Sequence, residues 1–205
     1  MEQQIYKGKL IQFHPLKIAK KVELTKNTFS LEFDIPENLK ENFKFDAGQF
    51  VSVKFQSHGA EVINDYSMTS APYEGKICLG IKVNSPDGAT SQLFQNYSEG
   101  DELMVSEPAG RFTIVSKPSE FRTIVAFAAG IGITPILSHF KNILHNEPRT
   151  RLFLFFGNKS SEDLIYRDQL DNLARTCGDR LQIFYFFSQE KTADQFFYGR
   201  LDEKN

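Results

Sequence analysis

The stretch Val125–Leu137 constrains this chain more than any other: Val-Ala-Phe-Ala-Ala-Gly-Ile-Gly-Ile-Thr-Pro-Ile-Leu. It opens as a short apolar run, the pattern of a strand buried in a parallel sheet. It turns through Gly130 and Gly132, and Thr134 and Pro135 then read as the N-cap and first residue of a helix. A strand, a glycine turn and a capped helix form an anion site, because free backbone N–H groups and the helix dipole face whatever phosphate lies above them. The pattern G-x-G-x-T-P lacks the third glycine of the usual dinucleotide fingerprint. Taken alone it reads equally as a tight connection that binds nothing.

Before this stretch the chain reads as strand and turn. Leu16–Phe33 holds two strands around a turn, with Val22, Leu24, Phe29, Leu31 and Phe33 alternating with polar residues. Asp34–Lys44 is a polar loop, Phe50–Phe55 a third strand and Gln56–Val62 a turn. Asp65–Thr69, Lys76–Val83 and Glu102–Glu107 supply three more strands. Six short strands separated by turn signals imply a small antiparallel barrel. Between the last two, Gly88 turns the chain and Thr90 or Ser91 caps a short helix running to about Tyr97. That is either a second phosphate site or a plug that closes the barrel.

After the connector Pro108–Ser119 the pattern changes to strand (Thr123–Ala128), helix (Thr134–Asn146), strand (Arg151–Phe156), helix (Glu162–Thr176) and strand (Leu181–Phe187). The second helix opens on Ser160 with Asp163 three residues on, like a capping box. This alternation implies a parallel sheet with crossover helices. The expected architecture is therefore two domains. Residues 1–117 form a six-stranded antiparallel Greek-key β-barrel, and residues 118–205 an incomplete α/β parallel-sheet nucleotide-binding domain of about three strands.

Composition narrows the function classes. The 205 residues carry a net charge of −2, which gives no support for a nucleic-acid or anionic-membrane partner. Cys78 and Cys177 stand in no metal-ligand spacing, and two cysteines are too few for an iron–sulfur cluster held by this chain alone. We expect no metal site. The start Met-Glu-Gln-Gln is unlike a signal peptide and no apolar run is long enough to span a bilayer, so a cytoplasmic protein with reduced, buried thiols is expected. Most of the 20 Phe should be core.

Four short motifs then occur in a telling order. Asp65-Tyr66-Ser67-Met68-Thr69-Ser70 resembles the R-x-Y-S-(x)-S segment of the ferredoxin–NADP reductase superfamily, and Gly88-Ala-Thr-Ser91 its G-x-x-S pyrophosphate element. Gly110-Arg-Phe112 is similar to its G-x-F segment, and Gly130-Ile-Gly-Ile-Thr-Pro135 to its nicotinamide-nucleotide loop. Phe153–Ser161 and Phe186–Glu190 resemble the reductase components of multicomponent oxygenases, the phenylacetyl-CoA oxygenase type in particular.

The resemblance implies roles. Tyr66 stacks on a flavin ring and Ser67 places its hydroxyl near the atom that receives hydride, with Asn64, Met68 and Thr69 beside them. Lys82 and Val83 lie along the FAD, and the amides of Ala89, Thr90 and Ser91, after Gly88, hold its pyrophosphate. Gly130, Gly132, Thr134 and Pro135 sit under NADPH or NADH, with Thr134, like Ser67, at the reacting centre. Lys159 and Arg167 are placed to meet a 2′-phosphate, but read equally as solvated charge, and no acidic residue stands at that strand end.

Three departures accompany the match. The family arginine two residues before Tyr66 is Asn64, and Asp65 adds a negative charge, which implies FAD binding weaker by about 1–3 kcal/mol. The family's α/β domain has more strands than are legible here, which leaves a sheet edge for a second copy to cover. No fused iron–sulfur domain is present, so electrons would leave to a separate ferredoxin or oxygenase component. Two functions follow: a flavin-dependent oxidoreductase, or a reductase-like module with weak or no FAD binding that serves assembly or regulation.

Overall fold

The computed structural model describes residues 2–191 and 197–199. The N-terminal unit contains β1 (Glu2–Tyr6), β2 (Lys9–Thr25), β3 (Thr28–Phe33), β4 (Phe50–Ser57), β5 (Ala60–Ser67), β6 (Ile77–Lys82), α1 (Ala89–Asn96) and β7 (Glu102–Ser106). The C-terminal unit contains β8 (Thr123–Ala129), α2 (Ile133–Asn146), β9 (Arg151–Asn158), α3 (Arg167–Cys177), β10 (Leu181–Phe187) and β11 (Phe197–Tyr198).

Six strands of the first unit are antiparallel, in the order β5-β4-β7-β2-β3-β6, with β1 hairpinned onto β2. The sheet closes where Met68 bridges to Leu79 and the Thr69 amide donates to the Cys78 carbonyl at 2.8 Å. The 17-residue β2 makes the corner. Its first half pairs with β7, its second half with β3, and its register slips at Ile18/Lys20 and Glu23/Thr25. Inside, Phe13, Leu16, Phe29, Phe33 and Val51 are at most 1% exposed. The alternation that marked these strands is thus the alternation of core and surface.

Two expectations are corrected here. Of the expected turn Gln56–Val62, residues 56–57 and 60–62 are strand, because β4 and β5 pair continuously from Phe50↔Ser67 to Ser57↔Ala60. The hairpin β1 went unread, because its side chains are mostly solvated and carry no clean alternation.

The second unit is a parallel sheet in the order β11-β10-β9-β8. The expected three strands are four, since the short β11 pairs with Phe186 and Phe187. Helices α2 and α3 pack with one face of it, around Leu137, Phe140, Leu154, Phe156 and Leu170. Among the described residues no helix covers the opposite face, where Phe197 stacks on the buried Phe186 and the far edge is open. Val125 is 50% exposed and Phe127 67%, and Phe127 stacks on Phe155 (5.1 Å), which stacks on Phe184 (4.9 Å). These phenylalanines are therefore not the core residues their composition suggested. Gly199 is the last residue described.

Helix starts also differ. Gly132, not Thr134, occupies the N-cap of α2, and a single 3-10 turn, Gly130–Gly132, leads into it. Thr134 Oγ1 donates backwards to the Ile131 carbonyl at 3.0 Å rather than accepting from the helix. Pro135 still fits, because the first-turn amides have no acceptor inside the helix. Gly88, not Thr90 or Ser91, caps α1. The helix expected from Glu162 begins only at Arg167; a 3-10 turn at Ser161–Asp163 precedes it and Tyr166 takes φ +58 between them.

The units share a tight seam. Ser138 Oγ donates to the Ser70 carbonyl at 2.6 Å, and Lys141 lies 3.2 Å from Glu74. His139 Nε2–H donates to the Phe112 carbonyl at 2.8 Å. Gly48, at φ +89, allows that contact: a Cβ there would lie 2.0 Å from the Phe112 oxygen and 2.2 Å from His139 Nε2. Burial lowers the His139 pKa, so the neutral ring serves as the donor.

Candidate functional site

Two clefts meet between the units. One, of about 570 Å³, lies beyond the carboxyl ends of β8, β9 and β10 and is lined by Lys82, Gly130, Ile131, Gly157, Asn158 and Lys159 among others. The other, of about 300 Å³, lies beside α1 and is lined by Phe29, Val83, Ser91 and Phe94 among others. Asn27, Thr28 and Asn84 line both, so the two form one groove. The open side of a parallel sheet beyond its carboxyl ends is where α/β folds bind ligands.

The groove suits an anionic dinucleotide. Gly130 has φ +47, and a Cβ on Gly130 or Gly132 would meet no atom within 4 Å, so both face open space. Among the described residues neither Lys82 nor Lys159 has an acidic partner. At α1 the amides of Ala89 and Thr90 have no acceptor among the described residues, whereas that of Ser91 is bonded to the Gly88 carbonyl at 2.9 Å. Two of the three amides expected to hold a pyrophosphate are thus free, and the third is used internally. Ser91 itself is buried, and its Oγ accepts from Gln95.

On β5, Asn64 and Tyr66 share one face, opposite Val53 and Val51. Asn64 Nδ2 donates to Tyr66 Oη at 3.2 Å, and burial pushes the Tyr66 hydroxyl up to about 12, so it stays protonated. Asp65 points to the other face. Ser52 Oγ donates to it at 2.6 Å and Lys7 pairs with it at 2.6 Å. The repulsion expected from Asp65 is therefore misplaced: its charge is turned away and countered by the β1–β2 hairpin. His58, in the β4–β5 turn, bonds to the Asp87 carbonyl at 3.0 Å and ties this hairpin to the loop before α1.

Other expected residues are less available. Met68 is fully buried in the barrel core, and Thr69 Oγ1 is spent on the Cys78 carbonyl at 3.2 Å. Thr134 is 5% exposed, and its methyl packs on β6, where a Cβ on Gly80 would lie 2.8 Å from it. Pro135 follows it in the first turn of α2, and Ser67 ends β5 opposite Phe50; neither lines the groove. Cys78 and Cys177 are half-buried rather than buried, and burial pushes the Cys78 thiol up to about 12, which leaves it inert.

Sequence reading missed Gly80, Tyr166, Asn158 and Glu190. Gly80 admits the Tyr166 hydroxyl, 2.6 Å from where its Cβ would be. A glycine inside a strand signals such an approach. Glu190 reaches the loop after β9, where the Ser161 amide and Oγ donate to it at 2.6 and 2.9 Å. An acidic group therefore does stand near that strand end, while Arg167 lies 3.5 Å from Asp171 on its own helix. The lean toward NADPH drawn from Arg167 loses its footing. Among the described residues no cluster of His, Cys, Asp or Glu has the makings of a metal site, and no helix is long and apolar enough to cross a membrane.

Comparison with known proteins agrees with this geometry. Residues 15–114 match the family described as an oxidoreductase FAD-binding domain, and residues 127–205 the oxidoreductase NAD-binding domain. The chain belongs to the ferredoxin reductase family. One of the subunits of the 1,2-phenylacetyl-CoA epoxidase of Escherichia coli is 30% identical over 190 residues, covering 93% of this chain and 53% of that protein. The ferredoxin reductase component of a 3-ketosteroid-9-alpha-monooxygenase from Rhodococcus rhodochrous is 30% identical, covering 88% and 52%. The chain thus spans about half the length of these relatives. In structure, the CS-b5R domains of human Ncb5or in their NAD+ form superpose with a TM-score of 0.78 at 26% identity, covering 94% of this chain and 56% of that one.

Proposed function

We propose that this chain is an NAD(P)H-dependent flavin oxidoreductase that takes hydride onto FAD and passes electrons to a separate acceptor protein, a ferredoxin or an oxygenase component. The observation that carries the reading is the continuous groove running from α1, where Ser91 and Phe94 line it, to the glycine turn at the carboxyl ends of the parallel strands. The two relatives described above are one part of an epoxidase and one component of a monooxygenase, which favours an oxygenase-type acceptor here. The division of labour follows the two units, with the FAD portion in residues 1–117 and the nicotinamide portion from 118 onward.

FAD, when bound, supplies the hydride-accepting and electron-releasing chemistry. The chain supplies position. Tyr66 offers a protonated aromatic face, held by Asn64, and Ser67 a hydroxyl at the strand end. Val83 and the amides of Ala89 and Thr90 hold the flavin nucleotide, while Lys82, Gly130 and Gly132 receive the nicotinamide nucleotide. Thr134 acts through the loop, which its hydroxyl ties to Ile131. The Ser138, His139 and Lys141 contacts lock the two units so that both nucleotides meet in a fixed geometry.

The purified protein, loaded with FAD and freed of excess, should be yellow and should oxidise NADH or NADPH with an artificial electron acceptor. A yellow protein that never reduces the acceptor would assign the chain to a binding module, and a protein that refuses FAD would overturn the flavin reading.

We also assign a second copy of this chain to the helix-free sheet face. Its three full strands, β8 to β10, span about 23 by 14 Å, so two copies remove on the order of 700 Å² in all, the size of a weak, reversible association. The central side chains Val125, Phe127, Phe155 and Phe184 are uncharged, so the face is compatible with itself.

A further inference from the structure

The groove occupies the carboxyl ends of the parallel strands; their amino ends carry a different chemistry. A concave patch of about 480 Å³ lies there. Four of its lining residues are arginines, Arg122, Arg149, Arg151 and Arg180, and none is acidic. Arg122 precedes β8, Arg149 and Arg151 bracket the start of β9, and Arg180 precedes β10. The parallel register sets Thr123 beside Arg151 and Leu152 beside Leu181, and so gathers the four at one edge of the sheet.

Two of the four are consumed by the fold. Arg122 binds the buried Glu147 and the Val115 carbonyl, and Arg180 donates to the carbonyls of Leu144, Glu147 and Thr150. The other two face solvent. Among the described residues the Arg151 side chain has no partner, and Arg149 reaches only the Ser119 carbonyl, at 3.5 Å. Arg149 also lies over the Phe121 ring, 4.9 Å from its centre, and Phe121 is itself 81% exposed. Nearby acids do not neutralise the pair. Glu147 is spent on Arg122, Glu120 pairs with Lys117 at 3.1 Å, and Asp179 lies outside the lining. Two uncompensated guanidinium groups beside an exposed aromatic ring thus stand out on a chain of net charge −2.

We propose that this patch docks a carboxylate-rich segment of a partner protein, its acidic side chains held by Arg149 and Arg151 and its apolar side chains by Phe121. The guanidinium fork matches the two oxygens of a carboxylate. The aromatic ring selects a protein segment over a free anion: a phosphate gains nothing from Phe121, whereas arginine beside an exposed aromatic is the composition of interface anchors. Position decides what the contact is for. Strands of seven residues set the patch roughly 23 Å from the carboxyl-end groove, so a partner seated there leaves the groove open. The contact anchors a partner and is independent of the proposed activity.

The test is fluorescence anisotropy of the whole chain with a labelled peptide of alternating glutamate and leucine. The peptide should bind at low salt and weaken at about 1 M salt, where charges are screened beyond roughly 3 Å. Arg149→Glu with Arg151→Glu should weaken it by about 10-fold or more, since two ion pairs become two repulsions. Lys40→Glu with Lys44→Glu, the same change of net charge in the polar loop before β4, should stay within about 2-fold. Phe121→Ser should weaken the peptide by about 5-fold, the loss of an apolar anchor. Arg149→Gln with Arg151→Gln carries the test if the reversed variant does not fold. A wild type that binds no peptide, a patch variant equal to wild type, or a loop control that loses as much overturns the proposal. Phe121→Ser equal to wild type overturns the protein assignment in favour of any polyanion. Tighter binding of a thymidine oligonucleotide overturns it in favour of nucleic acid.

Discussion

Asn64 is where the flavin reading is most exposed to refutation. Its carboxamide sits on the same face of β5 as Tyr66 and donates to the Tyr66 hydroxyl at 3.2 Å. Asn64→Arg gives up that neutral bond in free and FAD-bound protein alike, which costs stability and not affinity, and gains a charged donor beside the proposed pyrophosphate, worth about 1.5–3 kcal/mol. The gain in FAD affinity is therefore roughly 12- to 150-fold. Titration of flavin-free protein with FAD, followed by flavin fluorescence, measures it. Asp65→Asn is the companion variant. Because Lys7 and Ser52 already hold that carboxylate on the opposite face, removing its charge should change FAD affinity by less than about 2-fold. An arginine at 64 that leaves FAD binding unchanged or weaker would refute the placement of the pyrophosphate. A tighter-binding Asp65→Asn would refute the claim that its charge is turned away.

Other consequences are equally direct. Gly48→Ala forces a side chain at φ +89 into the Phe112 carbonyl and His139, and should cost about 3 kcal/mol, lowering the melting temperature by about 6–12 °C; a shift under 2 °C would mean the seam is looser than described. Glu147 is fully buried; burial pushes its carboxyl up, but Arg122, Thr150 and the Lys117 amide outweigh that and hold it down to about 2. Its folded value lies below the ordinary 4.5, so this contribution, about 3 kcal/mol, is present above pH 4.5 and is lost as pH falls toward 2. Denaturant melts across that window should show the loss in wild type and a flatter profile in Glu147→Gln. Phe127→Glu, on the helix-free face, should turn a concentration-dependent dimer into a monomer in sedimentation equilibrium; a wild type that is monomeric throughout would sink the second-copy assignment.

What sequence could reveal followed what is local. The alternation of Phe29, Leu31 and Phe33 reports its own burial, whereas the apolar run Thr123–Ala129, read as a buried strand, is the edge strand of the sheet with Val125 and Phe127 exposed; the barrel, the parallel sheet and its order of elements were legible all the same. Helix starts were not, because Thr134 and Ser160 carry the chemistry of caps and spend it elsewhere, on Ile131 and on the Asp163 side chain. The interruption at Tyr166 has a long-range cause: its ring turns back to β6, and only Gly80, 86 positions earlier, makes the room. The same holds for the site. Gly130 and Gly88 announce themselves by residue type, whereas Asn158 looks like any polar residue in a loop until the β9 register buries it beside the cleft. Its information lies in a mismatch between residue and surroundings, and a mismatch exists only once the surroundings do. A motif search of such a chain therefore finds the turns whose backbone geometry glycine signals and misses the polar side chains whose meaning is their burial.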